Sequence, residues 1–173
     1  SPQNLNSIRS ACLEHTDIDP DDLTLHHSDG TLLEEYQDQE NLFDLVTTDP
    51  PYIMNAENYG SDERDLCHIK DLDAFNSKLE ECLTNLKRLI KPSNFAEKRF
   101  HPIVMKVGSA RRGESGLVDM STELEIIARR LGLVLHDKVI NVLDSYWGMF
   151  NVSRCIDHRY SVKVHETNLV FVK

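Results

Sequence analysis

Two consecutive prolines set directly after an apolar run constrain this chain more than any other feature. The stretch is Asn41-Leu42-Phe43-Asp44-Leu45-Val46-Thr47-Thr48-Asp49-Pro50-Pro51-Tyr52. Leu42 to Thr48 reads as a short strand buried on both faces, the type found inside parallel sheets. Neither proline carries an N–H, and each restricts the residue before it, so ladder pairing must stop there. The chain therefore leaves the sheet at a strand's carboxyl end, carrying a carboxylate and an aromatic ring. In open α/β sheets that edge is where ligands bind.

The residue types at this corner suit one kind of chemistry. An exocyclic amine on a nucleobase is a poor nucleophile, because its lone pair is delocalised into the ring. Acceptors that take hydrogen bonds from the amine draw the nitrogen toward tetrahedral geometry and localise that lone pair. The Asp49 carboxylate and the Pro50 carbonyl, stiffened by Pro51, are two such acceptors. Tyr52 offers a face for a stacked base, or a ring beside a sulfonium methyl. The same residues also read as a rigid strand-to-loop turn without chemistry. The amine-acceptor reading expects a carboxylate free of any salt link and a ring open to a cleft, and it falls if that carboxylate is tied up or that ring is buried away.

Asp49-Pro50-Pro51-Tyr52 resembles the catalytic tetrapeptide of the amino-methylating DNA methyltransferases. Those enzymes methylate adenine N6 or cytosine N4 with S-adenosylmethionine. A second resemblance lies at the end of the chain, where His165-Glu166-Thr167-Asn168-Leu169-Val170-Phe171-Val172-Lys173 is similar to the strand that closes their catalytic half. The resemblance runs from Leu23 to Lys173 and implies catalytic roles for Asp49, Pro50, Pro51 and Tyr52. It also implies that Asp49 and Asp29 lie at the cofactor. By itself, Asp29-Gly30 is equally a turn. His165-Glu166 is expected to anchor by hydrogen bonding, since methyl transfer needs no strong base.

Elsewhere the chain alternates helical and strand patterns, as α/β folds do. Residues 1–22 hold a helical segment, Asn4 to His15, and an acidic turn; residues 23–173 form the catalytic subdomain. Leu23 to His27 reads as a strand. Its adjacent His26 and His27 would point to opposite faces, which disfavours a shared metal. Ile53 to Asp71 is a polar loop in which Asn55, Asn58 and Tyr59 are substrate-contact candidates. Leu72 to Ile90 carries a single apolar stripe and ends at Lys91-Pro92. Pro102 to Val107 is a buried strand leading into a glycine-rich loop, where Arg111 and Arg112 suit DNA phosphates. Ser121 reads as the cap of a second helix, stopped at Gly132. Leu133 to Leu143 is a further strand. Tyr146 and Trp147, in the loop after it, either stack on a base or plug the sheet edge.

The expected fold is thus an incomplete Rossmann-like three-layer α/β sandwich with a mostly parallel sheet and an antiparallel last strand. The glycine-rich cofactor loop of such enzymes, Phe-x-Gly-x-Gly, is absent from the sequence. A second domain or subunit carrying that loop and target recognition is therefore an expected partner, beside DNA or RNA. A methyltransferase-like scaffold without catalysis is the alternative. The net charge of −10 opposes simple DNA binding, but the acid is concentrated early and basic pairs come late. Four dispersed cysteines without a Cys-x-x-Cys pair suggest neither zinc nor a disulfide framework, and a reducing cytoplasm follows. No window reads as a membrane span.

Overall fold

The computed structural model describes residues 7, 9–11, 13–14, 19, 21–26, 29–51, 66–69, 71–108, 110–111, 117–142 and 165–173. Six strands are seen: β1 (Val46–Thr48), β2 (Pro102–Val107), β3 (Ala110–Arg111), β4 (Leu117–Val118), β5 (Val134–Val142) and β6 (His165–Val172). The two long helices are α1 (Leu72–Leu89) and α2 (Met120–Arg130). A four-stranded sheet runs in the order β1-β2-β6-β5, and β3 pairs with β4 in a separate ribbon. β1 and β2 are parallel, whereas β6 is antiparallel to both of its neighbours. This is the α/β architecture expected, with the last strand reversed.

α1 forms where its apolar stripe demands it. Asp71 caps it by accepting from the Ala74 N–H at 2.9 Å, and Phe75, Leu79, Leu83, Leu86 and Leu89 are buried along one side. α2 is capped by Asp119, whose carboxylate accepts from the Ser121 N–H and from the Ser121 and Thr122 hydroxyls. The expected cap, Ser121, lies instead in the first turn. Asp119 wins because its carboxylate accepts from one backbone N–H and two hydroxyls of the first turn and meets the positive end of the helix dipole. Gly132 follows with a φ of 75°, the left-handed conformation that lets the chain turn out of α2.

Both helices pack on one face of the sheet, where Ile103, Met105, Leu169 and Phe171 are wholly buried. Alternation puts Val104, Lys106, Asn168 and Val170 on the other face, and all four are only half-buried. Along β5 the ladder has a bulge between Leu135 and Asp137, with His136 the extra residue. Its ring stacks on Phe95 and lies 4.9 Å from Phe100.

Two strand expectations need correction. Residues 23–26 are irregular, with no ladder partner among the described residues; residue 27 lies outside them. A strand pattern cannot act alone, because its N–H and C=O groups need a neighbour. Leu42 to Thr48 shrinks to three strand residues, and Leu42 and Leu45 are 39% and 55% exposed. Among the described residues β1 has one neighbour, β2, and its three residues are half-buried or exposed, so it is not buried on both faces. Its lead-in is held instead by a bridge from Phe43 to Ile90, at the end of α1.

Candidate functional site

β1 ends at Thr48, paired with Met105, so the next residue, Asp49, emerges alongside Lys106 of β2. Asp49, Pro50 and Pro51 leave the sheet without regular structure at this carboxyl edge, as the two prolines require. The Lys106 Nζ donates to Asp49 Oδ2 at 3.2 Å and meets Glu166 Oε2 at 3.0 Å. Three strands thereby contribute to one cluster: β1 through its exit, β2 directly, and β6 through Glu166. The two carboxylates, the hydrogen bond to Glu166 foremost, raise the Lys106 pKa and keep it an ammonium.

The expectation of a carboxylate free of a salt link is therefore not met. Its cause is register, because parallel pairing of β1 with β2 sets the first residue past β1 beside a strand lysine. The link engages only Oδ2, and Oδ1 has no partner among the described residues. The side chains are 52% exposed for Asp49, 37% for Lys106 and 19% for Glu166. Glu166 thus anchors by hydrogen bonding, as expected of it. Lys106 was missed in the sequence. Its signal was a single charge inside Ile-Val-Met-Lys-Val, which needs partners when flanked by buried residues.

Asp29 lies elsewhere. Its Oδ1 accepts from the Thr31 N–H at 2.8 Å and the Thr31 hydroxyl at 2.7 Å, closing a turn. Those bonds, the hydroxyl first, hold its pKa below the usual carboxylate value. The turn rests on α1, where Asn85 donates to the Thr31 carbonyl at 2.7 Å and the Cys82 thiol lies 3.6 Å from the Gly30 carbonyl oxygen. Burial, with Asp29 and Glu81 nearby, pushes the Cys82 thiol up to about 11. No contact among the described residues joins Asp29 to Asp49.

The remaining candidates are less defined. Tyr52, Asn55, Asn58, Tyr59, Arg112, Tyr146 and Trp147 lie outside the described residues. Arg111 pairs with Leu117 in the β3–β4 ribbon, and its side chain lies outside the description. A cleft of about 470 Å³ lined by Lys91, Phe95, Arg99 and His101 opens at the amino end of β2, the rim opposite Asp49. Among the described residues there is no cluster of metal-ligating side chains, and no helix is long and apolar enough to cross a membrane.

No family model matches the sequence, and no curated protein matches it. Solved structures do. The cytosine-N4-specific PvuII DNA methyltransferase superposes with a TM-score of 0.59 at 18% identity, covering 85% of this chain and 48% of that one. TTHA0409 of Thermus thermophilus, provisionally classed as a DNA modification methylase, gives 0.57 at 21% identity, covering 86% and 52%. M1.HpyAVI in complex with SAM gives 0.51 at 18% identity, covering 87% and 53%. The chain has the fold of these proteins and spans about half their length.

Proposed function

We propose that this chain is the substrate-holding half of a methyltransferase that uses S-adenosylmethionine to methylate an exocyclic amino group of a base in DNA, adenine N6 or cytosine N4. The observation that carries the reading is Asp49-Pro50-Pro51 leaving β1 at the sheet's carboxyl edge, with Asp49 Oδ1 directed to no described partner. Oδ1 and the Pro50 carbonyl accept hydrogen bonds from the amine, and Tyr52 stacks on the base. The base is turned out of the duplex to reach them. The fold shared with DNA methyltransferases supports the reading.

S-Adenosylmethionine, when bound, supplies an electrophilic methyl group on sulfur. The described residues fit the substrate side of that chemistry. For the adenosine side they offer Asp29 alone, because the sequence has no glycine-rich cofactor loop. Asp29 as a cofactor contact, with Arg111, Arg112 and Asn55 as DNA contacts, remains part of the proposal. A second domain or subunit supplies the cofactor loop and target recognition, in a reducing cytoplasm.

A second reading has its own support. The Asp49–Lys106 link and the missing loop favour a methyltransferase-like scaffold that binds nucleic acid without catalysis. The first reading survives the link because the pair engages only Oδ2 and leaves Oδ1 open to an arriving amine. Methyl transfer to DNA and to RNA, measured with the full protein and with Asp49→Ala, separates the readings. Transfer to DNA that is lost in the variant is expected. No transfer by the wild type, or transfer retained by Asp49→Ala, overturns the assignment, and transfer confined to RNA changes the substrate.

A further inference from the structure

We propose that Lys106 is a positioning residue, which aims the Asp49 carboxylate while anchored from behind by Glu166. The inference rests on the function proposed above. Its first support is topological. Lys106 pairs with Asn168 of β6, and Glu166 lies two residues from Asn168 on the same face of the sheet. On its other side β2 pairs with β1, which ends just before Asp49. The ammonium therefore sits where three strands bring two carboxylates to it, at 3.2 and 3.0 Å.

A second support is the unequal burial of the two carboxylates. Glu166 is the enclosed partner at 19% exposure, and Asp49 is the presented one at 52%. Lysine has three donors, so one can be held by the more enclosed group while another steers the exposed one. Gripping Oδ2 alone restrains the Asp49 carboxylate and leaves Oδ1 open to an incoming N–H. An ordinary surface ion pair has neither a half-enclosed anchor nor a place beside the exit of a strand.

The test uses the full protein with Lys106→Met, Lys106→Arg and Glu166→Gln, assayed for methyl transfer to a DNA duplex. Lys106→Met is expected to lower kcat about 100-fold, the scale of a small misplacement at a reacting centre. KM for DNA should stay unchanged. Lys106→Arg should restore most of kcat, and Glu166→Gln should cost less than Lys106→Met. NMR titration of the Lys106 side chain gives a readout independent of turnover: its midpoint should fall in Glu166→Gln and in Asp49→Asn. Unchanged kcat in a folded Lys106→Met protein overturns the inference alone, as does a Lys106 midpoint that responds to neither substitution. Failure of the wild type to methylate DNA overturns the function proposed above and removes this role with it.

Discussion

The two faces of the four-stranded sheet are built from the same strands by opposite rules. On one face Ile103, Met105, Leu169 and Phe171 meet α1 and α2 and are sealed from water. On the other, one residue along each strand, stand Val104, Lys106, Asn168 and Val170, each only partly covered. The first face supplies stability through apolar burial and close packing. The second leaves charged groups accessible at the carboxyl edge. A single strand such as β2 serves both purposes because its side chains alternate.

The contrast predicts a graded series of effects on stability. Phe171→Ala, in the sealed face, should cost about 3–5 kcal/mol in denaturant unfolding, from lost transfer energy and the cavity left behind. A loss under about 1 kcal/mol would show the packed face to be loosely made. Asp119→Ala leaves the first turn of α2 without its cap and should cost about 1 kcal/mol, with thermal melting as the check. Thr31→Val removes the hydroxyl that chiefly lowers the Asp29 pKa and should cost about 0.5–1.5 kcal/mol near neutral pH.

The sign of that last effect with pH is fixed. Asp29 has a folded-state pKa below its unfolded value, so its contribution is present above the unfolded value and fades as pH falls through the folded one. The wild-type advantage over Thr31→Val should therefore shrink in acid, and an advantage independent of pH would contradict the Asp29 turn. Asp49→Ala, on the accessible side, should change stability by less than about 0.5 kcal/mol. Cys82 sharpens the contrast from another direction. With its pKa raised to about 11, it stays a thiol at neutral pH and should react slowly with alkylating reagents until the protein unfolds.

Elements determined by local chemistry were readable from the residues. α1 has its stripe and a terminal Lys-Pro within one segment, whereas its cap, Asp71, reads in the sequence as the end of the preceding loop. The departure of the chain after Thr48 follows from two missing N–H groups. Features that depend on distant partners were not readable. Whether residues 23–26 become a strand depends on a neighbour to pair with, and the burial of Leu42 and Leu45 depends on what covers an edge. The Lys106 bridge needs the registers of β1, β2 and β6 at once, so residues 49, 106 and 166 gave no sign of meeting. The choice of Asp119 over Ser121 turned on two oxygens within reach of the same N–H groups.

The extra residue in β5 has a consequence for how that strand is locked in place. Leu135 and Lys138 are three residues apart, yet both face the helices, because His136 takes up the odd step. Lys138 can then reach Ser121 and Glu125 of α2, at 3.2 and 2.7 Å. Removing His136 would force a choice: keep Leu135 on the helix side of the sheet, or keep the lysine bound to α2, but not both. The bulge thus acts as a keyed joint, and its tooth, the imidazole seated between Phe95 and Phe100, guards β5 against sliding along β6.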